Sequence, residues 1–63
     1  MNWKFDLIKR IRDMKNDEIL EETFYAIQAA SSDQSTGMDN EVANIFIEQL
    51  KKRLRKVGFF NEV

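Results

Sequence analysis

Hydrophobic positions along this chain recur at helical intervals in three separate stretches. Between Asp39 and Val57 the apolar residues Ala43, Ile47, Leu50, Leu54 and Val57 follow one another in alternating steps of four and three. On an α-helix that spacing gathers the side chains into one narrow stripe, the seam against which another helix packs. Neither Pro nor Gly interrupts the stretch. Asp39 is a good N-cap, Glu41 suits the positive end of the helix macrodipole, the basic run from Lys51 to Lys56 suits the negative end, and Gly58 supplies a C-terminal stop. The pattern predicts a helix over 39–57 with this stripe as its seam.

Two further helices precede it. In residues 2–14 the apolar stripe is Trp3, Leu7, Ile11 and Met14, with Asn2 as cap and with Phe5 and Ile8 widening the apolar face. Lys15 and Asn16 break the pattern, and Asn16 is placed to cap a helix over 17–30 whose first turns carry Asp17, Glu18, Glu21 and Glu22. That helix has two stripes: a bulky one of Leu20, Phe24 and Ile27, and a smaller-sided one of Ile19, Thr23, Ala26 and Ala30. Two stripes predict a helix lying between two neighbours. Residues 31–38, SSDQSTGM, have turn composition and no period, so they predict a loop. The expected fold is therefore all-α, one small domain over 1–63 with three short helices, the last two an antiparallel hairpin. In that hairpin Leu20, Phe24 and Ile27 would pack on Ile47, Leu50 and Leu54. Glu18, Glu21 and Glu22 would face the basic run, selecting the orientation more than stabilising it, since an exposed pair is worth about 0–1 kcal/mol.

Composition narrows the chemistry. A monomer of 63 residues buries only about 60% of the surface its unfolded chain exposes, and this one contains neither Cys nor His, which removes disulfides and the commonest metal ligands as sources of extra stability. Self-association or docking on a larger partner is the expected substitute. Without Cys or His the usual nucleophile–base pairs are absent too, so the chain is expected to be no enzyme and to hold no metal or cofactor. Ten Lys and Arg against eleven Asp and Glu leave a formal charge of −1. Nucleic-acid binding through Lys9, Arg10, Arg12 and Lys15 with the basic run 51–56 is thus a lesser alternative. No apolar run approaches the roughly 20 residues needed to cross a bilayer, and the N-terminus lacks the apolar core of a signal peptide, so a cytoplasmic location is expected.

Some apolar residues are left over by the seams. Around helix 39–57, Val42 and Phe46 fall on the flank and Ile45 falls nearly opposite; Tyr25 is in a similar position on helix 17–30. These four are the expected partner-binding residues. Phe59 and Phe60 follow the helix stop and are expected either to fold back onto the core or to join a dimer or partner surface.

Two segments carry a resemblance. Asp17-Glu18-Ile19-Leu20-Glu21-Glu22-Thr23-Phe24-Tyr25, and Phe46-Ile47-Glu48 followed by Leu50, Leu54 and the basic end, are similar to the two helices of Sda-type sporulation checkpoint inhibitors. Those are small helical hairpins that bind sensor histidine kinases. The resemblance implies a non-catalytic inhibitor that docks on the kinase's helical dimerisation and phosphotransfer region and blocks autophosphorylation or transmission. By position it places the contact at Phe46 and, one turn earlier, Val42. The added N-terminal helix and a longer loop depart from that pattern. The resulting expectation is a small bacterial or phage regulatory protein, oligomeric or partner-bound, that docks a helix face on a larger protein. A sensor histidine kinase is the named candidate, and a regulator with another target, including a DNA-binding one, is the alternative.

Overall fold

The computed structural model describes residues 2–58, which form helices α1 (Trp3–Arg12), α2 (Asn16–Ala30) and α3 (Gly37–Lys56). The expectations placed on Phe59 and Phe60 fall outside the described residues. Asn2 caps α1 as expected: its Oδ1 accepts from the backbone N–H groups of Lys4 and Phe5 at 3.2 and 3.4 Å. The helix closes two residues early, where the Asp13 and Met14 N–H groups donate to the Arg10 and Ile11 carbonyls.

The starts of α2 and α3 both differ from expectation. Asn16 is the first residue of α2 rather than its cap. The flanking Lys15 has no side-chain acceptor to offer, and its own N–H donates to the Glu18 carboxylate at 3.4 Å instead. In α3 the cap is Thr36, and Asp39 lies three residues inside. Thr36 Oγ1 accepts the Asp39 N–H at 3.3 Å while Asp39 Oδ2 accepts the Thr36 N–H at 2.9 Å. This reciprocal capping box satisfies two otherwise unpaired donors, draws Gly37 and Met38 into the helix, and shortens the loop. At the far end Gly58 has φ 75°, the left-handed conformation that a helix stop requires and that glycine adopts without strain.

The packing centre is α3, with α1 and α2 each laid against it. One side chain from each helix, Ile11, Ile19 and Phe46, forms the buried core, and Leu7, Met14, Ala26, Val42, Ile45 and Leu50 pack around it. The helix with two neighbours is therefore α3, not α2. This rotates the expected seam. Ala43, Phe46 and Gln49 are the buried positions of α3, whereas Ile47, Leu50 and Leu54 are half-buried and Val57 is 73% exposed. The regular spacing of the expected seam presumes a single partner helix. With helices on both flanks, burial is centred between them, on Phe46.

On α2 the two stripes exchange roles. Ile19 and Thr23 are buried and Ala26 is half-buried, while Leu20, Phe24 and Ile27 are exposed. Small side chains at 23 and 26 let α2 approach α3 closely enough for Phe46 to fill the gap, which the bulkier stripe would hold open. Neither Glu18, Glu21 nor Glu22 forms an ion pair with the basic run; the ion pairs among the described residues are Lys4–Glu41 at 3.2 Å and Glu48–Lys51 at 3.9 Å. Orientation is held instead by Arg53. Its Nη1 donates to Asn16 Oδ1 at 3.0 Å, and its Nη2 donates to the Ile11 and Arg12 carbonyls at 2.7 and 3.3 Å. The end of α3 thereby meets the start of α2, and the hairpin is antiparallel.

This assignment predicts opposite outcomes for two core substitutions. A domain of this size has a total stability of about 3–9 kcal/mol, and Phe46→Ala removes about 3–5 kcal/mol, so cooperative thermal melting followed by circular dichroism should be nearly lost. Thr23 Oγ1 is buried with no hydrogen-bond partner among the described residues. Thr23→Val keeps the branched shape without the stranded hydroxyl and should raise stability by about 1 kcal/mol. A Phe46→Ala chain that melts like the parent would show that Phe46 is not the core.

Candidate docking surface

The inward turn of the small stripe leaves α2 with an apolar outer side. Leu20 and Phe24 are 55% and 58% exposed, Ile27 and Tyr25 are exposed beside them, and the rings of Phe24 and Tyr25 lie 6.2 Å apart between centroids at a 57° tilt. Across from Leu20, the α3 residues Leu50 and Leu54 and the C-cap residue Val57 complete a largely apolar groove of about 120 Å³ floored by Ile19, with Asn16 and Arg53 also lining it. The position of α1 explains why this side is open. Trp3 and Leu7 share a cleft with Met38 and Val42, and Ile11 and Arg12 share one with Gln49. Those residues lie on the flank of α3 opposite Leu50 and Leu54. One side of the hairpin is therefore covered by α1, and the other is bare among the described residues.

The four residues expected to bind a partner do not form one surface. Phe46 is only 6% exposed and belongs to the core, and Val42 and Ile45 are half-buried against that core. Rotation of the seam brings Ile45 inward from its expected outward position. Tyr25 alone is exposed, on the outer side of α2. Leu20, Phe24 and Ile27, expected to pack on Ile47, Leu50 and Leu54, lie outside; the signal for this in the sequence is the small-sided stripe a quarter-turn away, which suits close helix contact better than they do.

Charge is distributed unevenly around the molecule. A cleft of about 370 Å³ between the ends of α1 and α3 is rimmed by Arg12, Lys52 and Lys56, with Arg53 spent on its internal acceptors. Among the described residues no three carboxylates gather in a way that could hold a metal ion, and no helix is long and apolar enough to cross a membrane. Comparison of the chain with protein-family models, with curated proteins and with solved structures returns no match.

Exposure and burial at neighbouring positions of α2 make a direct test. In dilute solution Phe24→Ser should change the urea-unfolding free energy by less than about 0.5 kcal/mol, whereas Ile19→Ala should cost about 2–5 kcal/mol. Equal losses would place Phe24 in the core and remove the surface.

Proposed function

We propose that this chain is a non-catalytic cytoplasmic regulator that inhibits or modulates a larger bacterial protein by laying the outer face of its α2–α3 hairpin on a helical surface. The observation that carries this reading is the exposed line of Leu20, Phe24 and Ile27 beside an apolar groove. Magnitudes set the extent of the contact. Covering the exposed half of one such side chain contributes roughly 1 kcal/mol, while micromolar binding needs about 8 kcal/mol. The α2 stripe alone falls short, so the groove residues Leu54 and Val57 belong to the same contact and charged pairs at its rim add to it.

A sensor histidine kinase is the named target. Its support is the similarity of Asp17–Tyr25 and of the Phe46–Leu54 region to the Sda-type inhibitors, because those segments are the two helices of the hairpin. Burial of Phe46 beneath α1 moves the contact from the flank that the resemblance implies to the opposite one. The absence of His and Cys supports a role without chemistry. The cations around the Arg12–Lys56 cleft favour a second reading, an anionic partner such as nucleic acid. That reading requires retention on a nucleic-acid column at low salt and steep loss of it as salt rises.

A molar excess of the chain should suppress kinase autophosphorylation, and Phe24→Glu should relieve that suppression while leaving helicity intact. Autophosphorylation indifferent to the chain would remove the kinase as target. Suppression unchanged by Phe24→Glu would move the docking surface elsewhere.

A further inference from the structure

We infer that the bare face of the hairpin is closed by a second copy of this chain, in a two-fold four-helix arrangement that lays α2 of one protomer over α3 of its partner. The core of one copy is small. Ile11 and Ile19 are the largest side chains fully removed from solvent among the described residues, while Leu20, Phe24 and Ile27 remain outside. A chain this short gains most by covering such a stripe with an equal one.

The edges of the face identify the occupant. Asp17 and Glu21 each precede a stripe residue, Leu20 and Phe24, by three positions, so on a helix they border the stripe along its outer edge. On α3, Lys51 follows Ile47 by one turn and precedes Leu54 by three residues, and Arg55 follows Lys51 by one turn, so these two border the other side. The contact of Arg53 with Asn16, and the shared groove of Leu20 and Leu54, set the start of α2 beside the end of α3. The acidic edge and the basic edge therefore flank the same end of one apolar face.

Such a face is complementary to itself. A two-fold axis running along the groove sets α2 of each copy over α3 of the other with that end in common, so each acidic edge meets a basic edge. An axis running across the groove would stack α2 on α2 and lose the match. Among the described residues Lys51 is held only by its exposed 3.9 Å pair with Glu48, which costs little to give up. Self-association stands apart from the regulatory reading. One consequence does rest on that reading: the dimer withholds the face that a foreign partner would need, so the docking species is the monomer and its supply is set by concentration.

The test is sedimentation of the full chain from low micromolar to millimolar concentration. A monomer–dimer equilibrium is expected, with Phe24→Glu raising the dissociation constant about tenfold or more while the far-ultraviolet helical signal stays unchanged. The arrangement is tested by charge exchange. Glu21→Lys in one chain, and Lys51→Glu with Arg55→Glu in another, should each weaken self-association, and an equal mixture of the two should restore it. Asp17 is left in place because its carboxylate accepts the Glu18 N–H at 3.0 Å. A monomer at every concentration overturns the inference, whether the face is covered by residues 59–63 of the same chain or reserved for another protein. So does a dimer indifferent to Phe24→Glu, or a mixture that associates no better than its components. A chain that dimerises without affecting the kinase would sink the regulatory reading and leave this one standing; a monomer that inhibits the kinase would do the reverse.

Discussion

Phe46 is the side chain on which the three helices converge, meeting Ile11 from α1 and Ile19 from α2. Everything else about the packing follows from its need to be covered on two sides. Because α3 carries Phe46, α3 must lie between the other helices. α2 then turns its narrow side inward, since only small residues at 23 and 26 leave room for a phenyl ring between the backbones. The bulky side of α2 is left outside as a direct result. The exposed stripe is thus a consequence of how the core is filled and not a separate feature added to it.

The existence of each helix was legible from periodicity, and so were the Asn2 cap, the Gly58 stop and the antiparallel hairpin. Helix starts were less so. Thr36-x-x-Asp39 is the sequence signature of a reciprocal cap, in which Asp39 answers the cap residue from inside the helix. Facing was the least legible property. On α3 the regular four-and-three spacing pointed to Ile47, Leu50 and Leu54, yet a helix with two neighbours centres its burial between them, and only the relative placement of α1 and α2 decides where that is. On α2 both stripes were visible, and hydrophobic size favoured the wrong one. The same error carried into the candidate site, because residues named as left over by a seam are only as good as the seam. Phe46 moved inside for that reason, while Tyr25 stayed exposed.

Direct charge pairing between α2 and the basic run was expected and is replaced by a different device. A guanidinium satisfied by two backbone carbonyls and an amide oxygen is fixed in direction as well as position. An exposed Glu–Lys pair would tolerate sliding by a residue or more. Among the described residues the carboxylates of α2 consequently enter no ion pair, and their charge is left to distinguish one approaching surface from another.

The same guanidinium fastens the corner between the first two helices to the last turns of the third. With α1 held there and laid along α3, the flank of the hairpin that carries Val42 and Phe46 is covered, and among the described residues the side that carries Leu20 and Leu54 is open. A bare two-helix hairpin would have both flanks open, since the one carrying Val42 and Phe46 would lose its cover. Sticky on both sides, such a hairpin could stack without limit into open chains, whereas the two-fold pairing proposed for the three-helix form is a closed one. The first helix takes one of those two flanks out of reach and so limits how many neighbours the hairpin itself can recruit.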